Sequence, residues 1–206
     1  MRRQRAARRV AIWAVGGAAV LLALSFLNRT HHHPYNHALA ARADKVAARA
    51  GCTGIWEPPD EGRDHQEGPI DYSQQPPTSG PHNPIPLNAG VYDRPQQENH
   101  MVHSLEHGAV EIYYESGGKN ALPTAVVGEL QTIAQGKKVI MTPAPQPLDT
   151  GHVGAKSVAT SVAFAAWDRL RQCPSTITPD QAGLIARSFI NRFVDAENAP
   201  EAGRGI

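Results

Sequence analysis

Only two cysteines occur among 206 residues, and several chemistries are missing outright. No glycine-rich phosphate loop is present, because "SGGKN" (116–120) lacks the spacing in which backbone N–H groups cradle a phosphate. No G-x-S-x-G elbow surrounds Ser79 in "PTSGPH", and Ser104 points away from its neighbour His103 in an extended segment, so a serine nucleophile is disfavoured. Charge of one sign is also scarce where nucleic acid would need it. Five arginines fall within residues 1–9, and the remaining 15 basic against 19 acidic residues leave the rest of the chain near −4. No basic patch remains for nucleic acid. Residues 10–27, "VAIWAVGGAAVLLALSFL", contain no charge at all.

That uncharged run of 18 residues sits near the lower end of what spans a bilayer core. Arginines before it and none within it set the N-terminus in the cytoplasm. A cleaved signal peptide would need small residues just past the run. "SFLNRTHHH" follows instead, so an uncleaved single-pass anchor in the cell membrane is expected, with an extracytoplasmic domain beyond it. The usual residues around a twin-arginine export signal are missing. Cys52 and Cys173 fit an oxidising compartment and read as one disulfide. Closing a loop of about 120 residues stabilises a fold by roughly 4–5 kcal/mol on the chain-entropy model.

The expected organisation is a cytoplasmic basic tail (1–9), a transmembrane anchor (10–27), a tether with a helix (28–51), and an extracytoplasmic α+β domain (52–201). The alanine-rich 38–51 reads as a helix ending at Gly51. From 52 to about 99, prolines and glycines exclude long helices and central strands, with a short strand expected at "PIDY" (69–72). "AVEIYYE" (109–115) alternates, putting Val110, Ile112 and Tyr114 on one face and Glu111 and Tyr113 on a wet one. A helix is expected over 120–136, a strand over 137–145, and a β-like start turning helical over 156–173. Thr178, Pro179 and Gln181 form the start of a capped helix over 178–195. The sum is a small mixed or antiparallel sheet with packed helices, a Pro-rich N-terminal loop region and one disulfide.

"HSLEH" (103–107) is the chemically dense stretch. One helical turn would place His103 and His107 on the same face. The letters match the inverted zinc-protease signature H-x-x-E-H, but that signature needs a long helix, whereas "DRPQQENHMV" upstream offers no helical apolar face and Gly108 follows at once. His82 sits in a Pro/Gly turn, "SGPHNP". Imidazoles from two constrained segments, His82 with His103 and His107, make a first shell for Zn²⁺ or copper. Glu106 is a ligand or an orienting partner, and Met141 is a weaker thioether candidate for Cu(I). "THHHPYNH" (30–37) carries little weight beside these.

"PPTSGPH", "GVY", "HSLEHGAVEIYY" and "NAPE" (198–201), behind an anchor and with paired cysteines, resemble the bacterial family catalogued as domain of unknown function 3105, from about Cys52 to Glu201. The motifs of that family fall on Pro76, Pro77, Ser79, Gly80, Pro81 and His82, then on His103, Glu106, His107 and Gly108. The resemblance implies anchored or secreted single-domain proteins and no established activity. Asn83 stands where the family often has an aromatic. The expected function is transition-metal binding for sensing, storage or transfer. The alternatives are a cell-envelope module that binds a protein partner, and a metal-dependent hydrolase with Glu106 as general base.

Overall fold

Alternation along residues 110–114 builds the centre of the sheet. In the computed structural model, which describes residues 35–154 and 156–206, β2 (Val110–Tyr114) lies between β3 (Val139–Pro143) and β6 (Val162–Ala166). It runs parallel to β3 and antiparallel to β6. The order β1-β3-β2-β6-β7 is completed by β1 (Gly90–Val91) at one edge and β7 (Arg169–Cys173) at the other. A separate hairpin joins β4 (Gly151–Val153) to β5 (Lys156–Val158). The α+β class, the mixed sheet and the Cys52–Cys173 bond are as expected. The tail and anchor at 1–27, with 28–34 of the tether, lie outside the described residues. Among the described residues no helix is long and apolar enough to cross a membrane.

Val110, Ile112 and Tyr114 face an apolar core shared with three helices. These are α1 (His37–Arg49), α3 (Thr124–Ile133) and α4 (Pro179–Phe193), with α2 (Glu98–Glu106) on the opposite side of the sheet. α1 buries only Ala40, Ala43 and Ala47, small residues that let it lie close on α4. α4 starts at the expected capping box, in which Thr178 and Gln181 satisfy each other's backbone N–H. α3 begins at Thr124 rather than 120, because Pro123 disfavours helical geometry at the residue before it.

Three expectations fail because tertiary pairing and packing outweigh local preference. "PIDY" forms no strand, and the Pro-rich segment is instead tied by isolated bridges at Trp56 with Leu170 and His65 with His82. Residues 162–173 do not become helical. They form the β6–β7 hairpin, turned at Trp167 and Asp168, with Asp168 at φ +52°, a left-handed conformation that Asp tolerates better than most residues. The second face of β2 is not wet either. Glu111 and Tyr113 are fully buried, under α2 and the Pro-rich segment, with Met101 and Tyr113 in one apolar cluster.

Burial raises the Glu111 carboxyl from 4.5 to about 8, while the Tyr113 hydroxyl, donating to Oε2 at 2.6 Å, opposes the rise and the charge of Glu98 adds to it. The folded state therefore holds a proton that the unfolded chain has released. Its contribution is complete below pH 4.5 and is lost as pH rises through 8. His103, whose folded value is lowered from 6.5 to about 4, acts in the opposite sense: its contribution is lost as pH falls from 6.5 to 4. Between pH 6.5 and 8 only the Glu111 trend remains of these two. Chemical denaturation across that window is expected to show stability falling by up to about 1.4 kcal/mol per pH unit, with Glu111→Gln flattening the slope. An unchanged slope in the variant would remove Glu111 as its cause.

Candidate metal centre

α2 is the element that the local sequence hid. Its nine residues run through the middle of "HSLEH", and Met101, Val102 and Leu105 are completely buried. The helix has apolar contacts on two sides rather than one stripe, so no amphipathic pattern announces it. The Pro-rich strand of chain 83–87 is laced along it. Asn83 N–H donates to Asn99 O at 3.1 Å and Leu87 N–H to His100 O at 3.1 Å. Ser104 Oγ donates to Leu87 O at 2.8 Å.

This lacing positions His103, whose Nδ1 lies 2.6 Å from the Asn83 carbonyl oxygen. His82 is fixed by its own turn, where Nδ1 meets Gly80 O at 2.8 Å. Gly80 has φ +124°, and a Cβ there would come within 3.0 Å of the Tyr72 ring, whose hydroxyl donates to Pro81 O at 2.7 Å. His107 caps α2, with Nδ1 2.8 Å from Gly205 O. Gly108 then turns the chain at φ +88°, close against Asp195. Asp195 N–H donates to Gly108 O at 2.9 Å, and Glu201 N–H to Glu106 O at 2.9 Å. Residues 195–206 are thereby held along the end of α2.

A carbonyl oxygen only accepts, so each of the three Nδ1 atoms donates to its carbonyl, and in the neutral form of each ring Nε2 is then the nitrogen whose lone pair can bind a cation. These lone pairs converge. His103 Nε2 is 3.0 Å from His107 Nε2, His82 Nε2 is 3.1 Å from Glu106 Oε2, and His107 Nε2 is 3.2 Å from Glu201 Oε2. His82 Nε2 is buried without a hydrogen-bond partner, which agrees with an acceptor facing an acceptor. Burial, with neighbouring His82, His107 and His65 adding to it, keeps the His103 ring neutral down to about pH 4. Buried acceptors with no hydrogen between them repel, and a cation relieves that. Metal-ligating histidines have this same Nδ1-to-carbonyl support.

The donor atoms fall into two overlapping groups, each within 4.8 Å: His65, His82, His103 and Glu106, and then His103, His107 and Glu201. The three expected imidazoles are thus divided, with His103 common to both sets and His82 and His107 in different ones. Glu106 stands in the first set, 3% exposed. Met141 is not with them; it is buried on the opposite side of the sheet among Val110, Ile112 and Leu130, which leaves nitrogen and oxygen donors alone.

Two members were missed. His65 reaches the centre because Gln66 N–H donates to His82 O at 2.8 Å and His82 N–H to Asp64 O at 2.9 Å. Nothing in "GRDHQEG" signals that pairing. Glu201 ends the "NAPE" motif, which did single it out, though not as a donor. The aromatic wall that Asn83 leaves open comes instead from Trp167, edge-on to His82 with ring centroids 6.2 Å apart.

A family model described as "Protein of unknown function (DUF3105)" matches residues 64–204. No curated protein matches the chain, and no solved structure does.

Proposed function

We propose that this chain, which belongs to the DUF3105 family, is a transition-metal-binding domain held outside the cytoplasm by an N-terminal membrane anchor. The observation that carries the reading is the convergence of buried His82 and His103, each with Nδ1 bonded to a carbonyl, on Glu106. Imidazole and carboxylate donors without a thioether suit Zn²⁺ or Cu²⁺ better than Cu(I). The uncharged run at 10–27 and the Cys52–Cys173 bond support delivery to an oxidising compartment. The role is sensing, storage or transfer of the ion.

Elemental analysis of full-length protein, purified without tags or chelators and equilibrated with Zn²⁺ or Cu²⁺, is expected to find about one equivalent bound. Less than a tenth of an equivalent of either metal removes the reading.

A second reading is a partner-binding module of the cell envelope. Trp56, 40% exposed, lines a groove of about 630 Å³ with Gln74, Gln75, Asp149 and His152. On that reading the Nδ1–carbonyl bonds only stiffen the Pro-rich segment, and partner capture survives the double substitution His82→Ala, His107→Ala.

A further inference from the structure

We propose that the centre offers a single ion two alternative seats pivoting on His103 Nε2, so that metal is loaded at one and passed to the other. This rests on the metal-binding reading above. His103 belongs to both donor groups, yet its Nδ1 is committed to Asn83 O at 2.6 Å. One lone pair binds one cation at a time, and a ring bridging two metals would need both nitrogens. The same limit holds for His82 and His107, whose Nδ1 atoms are bonded to Gly80 O and Gly205 O. The two groups therefore compete for an ion.

The seats differ in depth and in donor number. The inner one combines His82, His103 and Glu106, exposed by 0%, 4% and 3%, with His65 at the surface. The outer one has two imidazoles and Glu201, whose side chain is 25% exposed and is also paired with Arg204 at 2.9 Å. Fewer donors and an accessible carboxylate make the outer seat weaker and faster to exchange. His107 and His103 Nε2 atoms are 3.0 Å apart, so an ion at the outer seat reaches the inner one by exchanging His107 and Glu201 for His82 and Glu106 while His103 stays bound. Charge balances at each stage, since every seat supplies one carboxylate, and the inner seat adds His65 as a fourth donor. A closed structural site has no use for such a second seat.

The test uses full-length protein, with Cu²⁺ followed by electron paramagnetic resonance and loading followed by stopped-flow transfer from a chelator. The wild type should bind one equivalent. His107→Ala with Glu201→Gln should lower affinity less than ten-fold but slow loading at least ten-fold. His65→Ala with His82→Ala should leave a distinct spectrum and at least ten-fold weaker binding. Glu201→Gln alone, at a partly exposed position, should still slow loading and guards against misfolding of the double variants. Two tightly bound equivalents overturn the proposal in favour of a two-metal centre. Unchanged loading in both Glu201 variants overturns it while leaving one metal site standing. Absence of binding in the wild type removes both readings together.

Discussion

His103→Ala abolishes the stabilisation of the domain by Zn²⁺ or Cu²⁺. At free metal one hundred times the Kd, an ion that binds only the folded state adds about 2.7 kcal/mol, which is roughly a 5–10 °C rise in Tm for a domain of this size. His103 is the common member of both donor groups, so its loss leaves neither complete, and the rise is expected to shrink below about 2 °C. Met141→Leu is the contrasting variant. Its side chain packs on the far side of the sheet, so the metal-dependent rise persists in full, with the swap itself costing less than about 1.5 kcal/mol. Thermal melts of apo and metal-loaded protein read both outcomes. A full rise retained by His103→Ala would falsify the placement of the ion.

Reduction of the Cys52–Cys173 bond, or Cys173→Ala, is expected to have the largest effect on the apo protein. The bond spans a sequence separation of 121, and removing that constraint from the unfolded chain costs about 4–5 kcal/mol, roughly 10–20 °C in Tm. Cys52 follows α1 directly, and Cys173 ends β7 at the sheet edge. α1 is held by its alanine stripe on α4, by Asn36 N–H donating to Asn191 Oδ1 at 3.0 Å and by the ion pair of Asp44 with Arg171 at 2.6 Å, and it is the helix that leads straight into the crosslink, so it should loosen first. Amide hydrogen exchange in α1 rising before that in β2 under reducing conditions would show this order. A Tm change below about 3 °C on reduction would mean that the crosslink constrains little.

Local sequence specifies those features whose stabilising partners lie close along the chain. The capping box of α4 is written in Thr178, Pro179 and Gln181, and nothing distant is needed to satisfy it. The core face of β2 follows from period-two alternation of Val110, Ile112 and Tyr114. The pairing of Cys52 with Cys173 followed from there being only two cysteines. The four-residue spacing of His103 and His107 would suit one helical face, but the sequence around them offers no helix; α2 forms nonetheless, and their Nε2 atoms meet at 3.0 Å.

Tertiary structure decided the rest, because burial and pairing depend on what lies on the other side. Glu111 and Tyr113 have the pattern of a solvated face until α2 and the Pro-rich segment cover them. The helical preference of "FAAWDRLRQ" yields to pairing of β6 with β2 and β7. The division of the imidazoles was beyond local reach for the same reason. His65 and Glu201 arrive from segments more than a hundred residues apart, through backbone bonds to His82 and Glu106. The amino-acid order alone pointed to His82, His103, His107 and Glu106 as cation donors. Only the folded chain, by fixing each Nδ1 on a particular carbonyl, decided where their free lone pairs point.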